Sequence, residues 1–462
     1  MRKLRLILLA VGIVFLFLAA VFFAIGGGQM VRVMRGPTLP SEQLPATPAG
    51  DLEYLRKVVL KNERGLPRSR LDEFDSAIRS LTAAPPGESD DASIIAARAM
   101  AKLDNAHSTL TDPRLHRLPI RVHWFADGLF IVKAAPNWAN LVGLRIVRLG
   151  GKAPEQLLEH ISELASGNEN WRRYRSEYFL AAPAAIHFLG GEVTSSTVTV
   201  TTMDPSGRLD SFSLKADADV LPGDAFWEWE HQLPGDGSFK TTGWKTRLTT
   251  DESLPLYLVN PQNLFLLRDL PKHNAVYLRM NGSINDENMP ISQFAEKSLA
   301  LVKASHRRNV VVDFRFNWGG GYKETVRLTR DLPKYVPAEG HIYLITGPNT
   351  FSAGLIATAR LKHFGGEKVI IVGQPAGDNL QFRAEGFLIK LPATQVKVYV
   401  STARHDFQHP IGWLSDCFFL DKFFGVAVDS ITPSIRVENT GESYANCRDE
   451  VLETILDKIS KE

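Results

Sequence analysis

The run Asn309-Val-Val-Val-Asp-Phe-Arg315 is built on three consecutive valines, with no alternation of apolar and polar residues across them. A strand with one side in water alternates apolar and polar residues, whereas a continuous apolar run must be covered on both faces. The neighbouring segments supply the covers. Ala275 to Met280 reads as a strand, Ile291 to Ser305 as a helix, His341 to Thr346 as a strand, the run from Ser352 as a helix, and Lys368 to Gly373 as a strand. Strands alternating with helices predict an α/β layer with parallel strands over 271–462.

The rest of the chain has a different texture. Asp51 to Asn62, Ser69 to Ala83 and Ala92 to Leu103 repeat apolar residues every three or four positions, as helices do. Ala84 to Asp90 breaks that pattern. From Pro119 the period changes: Ile120 to Phe125 and Gly128 to Lys133 alternate as strands across an Asp127-Gly128 turn. Leu141 to Lys152 reads as strand, tight turn, strand, Pro154 to Leu164 as a helix, and Thr197 to Thr202 with Ser211 to Lys215 as a hairpin. The expected divisions are 1–29, an apolar N-terminal segment; 30–117, a linker and helical segment; 118–221, a small β domain; 222–270, a loop-rich connection; and 271–462, the α/β core. With 462 residues, more than one core is the expectation.

Residues Leu6 to Ile25 carry no charge. As a helix they span roughly 30 Å, about one bilayer core. A secretory signal's apolar stretch is shorter, which favours a retained anchor over a cleaved signal. Arg2, Lys3 and Arg5 precede the segment, placing the N-terminus in the cytoplasm and the body on the extracytoplasmic (periplasmic or extracellular) side of a single-pass membrane protein. The formal net charge of +2 gives no reason to expect nucleic acid as a partner. The two cysteines, Cys417 and Cys447, exclude a disulfide scaffold and leave either one bridge or two thiols.

Three segments carry candidate chemistry. Asp313-Phe-Arg-Phe-Asn-Trp-Gly-Gly-Gly321 runs a buried strand into three glycines, whose N–H groups at Gly319 and Gly320 are suited to an oxyanion; a simple turn is the plain alternative. Gly347-Pro-Asn-Thr-Phe-Ser-Ala-Gly354 puts Ser352 at a helix N-terminus, with the Ala353 N–H as a further donor. Taken alone, a serine there is more often a helix cap. Asp104-Asn-Ala-His-Ser108 offers His107 as the base a serine nucleophile needs. His405 and His409 are four apart but lack the Glu of a zinc helix, so no metal or other cofactor is expected.

In this order, the motifs resemble the tail-specific (C-terminal processing) serine peptidases. Asp313 to Gly320 is similar to that family's Asp-Leu-Arg-x-Asn-x-Gly-Gly, Thr350 to Ala353 to its Thr-x-Ser-Ala, and Val372 to Ala376 to its Val-Gly-Glu/Gln-x-Thr turn. Asn105 to Ser108 resembles its Asp-Gly/Ala-His-Thr, Gly143 to Lys152 its PDZ-like motif, and Ser430 to Val437 its Pro-Asp-Ile-x-Val. The resemblance implies an α+β multidomain chain: N-terminal membrane helix, helical segment, PDZ-like β domain, and an α/β crotonase-like (ClpP-like) catalytic core. It also implies a polypeptide substrate. Many members pair Ser with a Lys about two dozen residues on; the corresponding Pro375-Ala-Gly-Asp-Asn379 has none, and Lys362, Lys368 and Lys390 fall on other elements. A tricorn-like branch uses an upstream His instead, the place of His107. The third member, orienting the imidazole, is expected to be Glu385 or Asp406. Asn105 and Ser434 stand where the family has Asp, and Trp318 sits inside the glycine motif. A catalytically silent peptide-binding protein and a small-molecule esterase or amidase are the competing readings.

Overall fold

A computed structural model describes residues 2–42, 44–63, 65–83, 92–111, 115–216, 231–234, 243–248, 254–260 and 263–462. The breaker at 84–90 and much of the 222–264 stretch lie outside them. Five helices open the chain: α1 (Arg2–Ala24), α2 (Gly27–Arg35), α3 (Pro48–Asn62), α4 (Arg68–Ala83) and α5 (Ala92–Ala101). α1 contains the window Ile7–Ala24, long and apolar enough to cross a membrane and not buried against the protein. A signal sequence meets the same description.

α3 starts at Pro48, three residues before the expected Asp51. Thr47 accepts from the Gly50 N–H as its cap, and Pro48 occupies the first turn, where its missing N–H costs nothing. Its buried face, with Leu55, Val58 and Val59, meets Phe74 and Ile78 of α4 and the apolar side of α5. After α5 the chain turns through His107 into a two-residue strand, β1 (Leu110–Thr111).

An antiparallel sheet follows, with strands in the order β2 (Ile120–Phe125), β3 (Gly128–Ala134), β4 (Arg145–Leu149), β5 (Thr197–Met203) and β6 (Leu209–Lys215); β7 (Lys245–Thr246) pairs with β3. The expected helix from Pro154 to Leu164 is split: Pro154–Glu159 is α-helical and Ile161–Glu163 is a 3-10 turn. Glu169–Phe179 is a helix that polar composition conceals; it buries Trp171, Tyr174 and Tyr178, spaced three and four apart.

The core sheet begins earlier than the loop-rich reading of 222–270, at β8 (Phe265–Leu270), which pairs antiparallel with β9 (Ala275–Met280). β10 (Asn309–Asp313), β11 (Ile342–Thr346) and β12 (Val369–Gly373) continue in parallel from β9. Two antiparallel pairs lie outside this sheet: β13 (Gln381–Ala384) with β16 (Ala403–Asp406), and β14 (Phe387–Lys390) with β15 (Lys397–Val400). The last strand, β17 (Ile435–Arg436), adds parallel to β12.

The Val-rich strand is covered on both faces. Val310 and Val312 pack with residues of the helices Ile291–Ser305, Val326–Tyr335 and Ala353–Gly365. Val311 points the other way, into a layer with Tyr343 and with Ile455 of the helix Glu450–Ser460. Full burial of each such side chain contributes roughly 1.5–3 kcal/mol. β1 pairs antiparallel with β15 (Leu110 opposite Val398), and Ile389, Val398 and Val400 share the core of the N-terminal helices. The segment carrying His107 is thereby sewn to the C-terminal part of the chain. No disulfide joins Cys417 to Cys447.

Candidate active site

β11 delivers the chain to Gly347, and within five residues it must reverse into the helix Ala353–Gly365. Thr350 braces this turn: its hydroxyl donates to the Phe314 carbonyl at 2.8 Å and accepts from the Gly347 N–H at 2.9 Å. Phe351 N–H donates to the Asn317 carbonyl at 3.0 Å, tying the turn to the glycine motif. Between them stands Ser352 with φ 51° and ψ −123°, a conformation that L-residues avoid. A capping serine sits in the extended region and accepts from the first helical turn. Ser352 does neither, since its side chain makes no cap hydrogen bond.

The glycine motif lies against that serine. A Cβ placed on Gly319 would stand 2.7 Å from Ser352 Cβ, 3.1 Å from Ser352 Oγ and 3.1 Å from the Ala353 nitrogen. Gly319 and Gly320 have φ of 112° and 130°, which favour glycine. The motif is held from behind. Ser283 N–H donates to the Gly319 carbonyl (2.7 Å), and Gly321 N–H donates to the Ser283 carbonyl (2.9 Å). The Gly319 N–H itself donates to Asn317 Oδ1 at 3.2 Å, so it is already engaged. The Ala353 N–H opens a helix and has no carbonyl four residues back to satisfy it. The motif's first residues are a brace. Arg315 reaches Asp449 with two bonds of 2.9 Å and Asp313 Oδ1 with one of 3.0 Å, and Tyr277 donates to Asp313 at 2.7 Å. Burial pushes the Tyr277 hydroxyl well above its ordinary value, with the Asp313 charge adding to it.

His107 is buried in a column of rings. Its imidazole stacks on Phe351 (centroids 4.3 Å apart) and, on the other side, on Phe382 (5.3 Å). Trp171 extends the column beyond Phe351 (4.2 Å), and His405 extends it beyond Phe382 (4.8 Å). The His107 turn is clamped at both ends. Tyr399 N–H donates to the Thr109 carbonyl at 2.8 Å. The Asn105 amide donates to Ser108 Oγ at 2.9 Å and Ser401 Oγ at 3.0 Å. Glu63 lies behind, accepting from the Ser401 N–H at 3.1 Å; burial pushes its carboxyl up to about 8.

The carboxylate nearest His107 is neither of the two expected. Asp378 Oδ2 stands 3.2 Å from His107 Nδ1, within ion-pair reach though off the line of a good hydrogen bond. Glu385 is displaced toward His405, whose Nε2 is 3.8 Å from Glu385 Oε1; burial pushes the Glu385 carboxyl up. His405 is itself buried, with Nδ1 2.8 Å from Asp421 Oδ2; burial lowers its affinity for a proton, but Asp421 and Glu385 outweigh this and hold it above the ordinary value. Asp406 serves a different turn, accepting from the Gln408 and His409 N–H groups (3.0 Å each) and from Arg404 (3.1 Å). Asp378 occupies the stretch where the Ser–Lys members carry their Lys, and that position was the available signal for it. The nearby lysines have other duties: Lys362 bonds the Gly366 and Val369 carbonyls, and Lys368 the Val336 carbonyl. The structure thus brings Ser352, Gly319 and Ala353 together, and seats His107 on the residue before Ser352. No hydrogen bond joins Ser352 to His107, and among the described residues His107 Nε2 is buried without a hydrogen-bond partner.

No protein-family model matches the chain, and no curated protein matches it. Among solved structures it is similar to mature CPAF complexed with lactacystin, with 14% identity and a TM-score of 0.57 over 90% of this chain and 97% of that one. At this identity the likeness gives the fold. Much weaker likenesses, with TM-scores of 0.35 and 0.34, run to the photosystem II D1 C-terminal processing protease (13% identity, 86% of this chain and 94% of that one) and the tricorn protease (11%, 89% and 37%).

Proposed function

We propose that this chain is a serine peptidase of the tail-specific type, anchored by α1 with its body on the extracytoplasmic side, and that it cleaves polypeptides through an acyl-enzyme on Ser352. The observation that carries the reading is the conformation of Ser352: a strained backbone, of order 1–3 kcal/mol, with no capping bond in return. Such strain at a strand-to-helix turn is what exposes a nucleophilic hydroxyl.

In this reading His107 Nε2 takes the Ser352 proton as Oγ attacks the scissile carbonyl. The Ala353 N–H, with the Gly320 N–H and with the Gly319 N–H once it leaves Asn317, receives the developing oxyanion. His107 then returns the proton to the leaving amine, and water repeats the cycle on the ester. Asp378 is the residue we assign to orient the imidazole, ahead of Glu385 and Asp406. The sheet β2–β6 within 118–221 is the proposed PDZ-like module, binding an extended peptide by strand addition, and 271–462 the crotonase-like core.

The test is peptide hydrolysis by the full chain. Ser352→Ala and His107→Ala should each abolish turnover in a protein that still folds, with some loss of stability in His107→Ala from the cavity it leaves; turnover retained in both overturns the assignment. One observation favours the silent-binding alternative: Ser352 and His107 are not hydrogen-bonded. Sites of this kind often tighten only when substrate binds.

A further inference from the structure

The body carries an apolar patch beside the point where α1 ends. Trp413, Leu414 and Phe423 are 55%, 84% and 52% exposed among the described residues. Single exposed apolar side chains need no explanation, but connected ones do. These are connected, and they lead to α1. Trp413 meets Phe423 edge-on at 5.4 Å, Phe423 meets Phe419 at 5.2 Å, and Phe419 meets Phe22 of α1 at 5.2 Å. The loop is built rather than loose: Lys422 Nζ donates to the Trp413 carbonyl at 2.7 Å and the Ser415 carbonyl at 2.9 Å.

α2 fixes the geometry. Gln29 donates to the Asp416 carbonyl at 2.8 Å, and Met30 and Val33 pack against the core. Arg32 and Arg35 are left exposed on the same short helix.

We propose that Trp413, Leu414 and Phe423 form a second membrane contact, entering the headgroup and upper acyl region of the leaflet from which α1 emerges. The occupant is a phospholipid bilayer. The patch is continuous with the surface of α1 through Phe22 and Phe419. Aromatic side chains suit that depth, since their rings tolerate both the apolar and the wet side. Arg32 and Arg35 would lie among the phosphates, so an anionic leaflet fits best. A helix and a patch together hold the body in one orientation, which a single helix with a flexible exit does not. The proposal rests on α1 being retained as the anchor.

The full chain is reconstituted in vesicles of mixed zwitterionic and anionic phospholipid whose acyl chains carry a photoactivatable group, and the adducts are mapped by peptide mass. The expected result is adducts on α1 and on 413–423, with those on 413–423 falling several-fold in Leu414→Ser while α1 keeps its own. Leu414 is too exposed for that change to disturb folding. Adducts on α1 alone overturn the patch and leave the anchor standing. Adducts on neither overturn both. Copy-to-copy cross-links at 413–423 in place of lipid adducts overturn the proposal in favour of a protein partner.

Discussion

The imidazole of His107 stacks on the ring of Phe351, the residue immediately before Ser352, with centroids 4.3 Å apart. The proposed base from the N-terminal segment and the proposed nucleophile from the α/β core are thus linked through one ring-to-ring contact, closed on the far side by Phe382. Phe382→Leu keeps an apolar filling but removes one wall. Turnover of a peptide substrate should fall by roughly ten- to a hundredfold, as small misplacements of a catalytic group do, with KM nearly unchanged. Unchanged kcat in a folded variant would show that the column does not position the base.

Asp378 and Asp406 separate two kinds of carboxylate. Asp378→Asn keeps the shape beside His107 but removes the charge that stabilises imidazolium, so kcat should drop by roughly a hundredfold or more. Asp406→Asn, serving a turn elsewhere, should leave kcat near that of the parent protein. Glu385→Gln, measured alongside, should fall between them, because Glu385 faces His405 more closely than His107.

Gly319→Ala tests the closeness of the glycine motif. Its Cβ would meet Ser352 Cβ at 2.7 Å, and its φ of 112° is strained for alanine. The expected outcome is a loss of kcat of about a hundredfold or more, comparable to removing an oxyanion donor, with only a modest fall in melting temperature. Normal turnover would mean that the serine is not addressed from this side.

Glu63 makes stability depend on pH. Its carboxyl is raised by burial from 4.5 in the unfolded chain to about 8. Between those values the folded state holds a proton that the unfolded state has released, so stability declines as pH rises through this window and levels off above it. Glu63→Gln should flatten the dependence of melting temperature on pH from about 5 to 8 and raise the melting temperature at pH 8. An unchanged slope would show that another group sets it.

The α/β core was legible because its signals are local. Asn309 to Asp313 carries three valines in a row, and the Ile291–Ser305 helix repeats at helical spacing over its whole length. Taken alone Ser352 reads as a cap, and it was marked as a candidate nucleophile by the Thr350–Ala353 motif; its dihedral angles show that it does not cap. Asp378 was marked only by its place in the stretch where a Lys was sought, and Phe382 and the buried His405–Asp421 pair were not legible, since each takes its meaning from contacts that no local pattern signals. Phe265–Leu270 escaped because it lies next to an irregular stretch and pairs only with the strand that follows. Trp171, Tyr174 and Tyr178 did carry a helical spacing, masked by the arginines and glutamates between them.

The most direct test is to react the full chain, in detergent or vesicles, with a fluorophosphonate and locate the adduct. The account predicts a single covalent adduct on Ser352 that is lost in His107→Ala while the protein stays folded. An unlabelled Ser352 in a demonstrably folded protein, or labelling indifferent to His107, would contradict it.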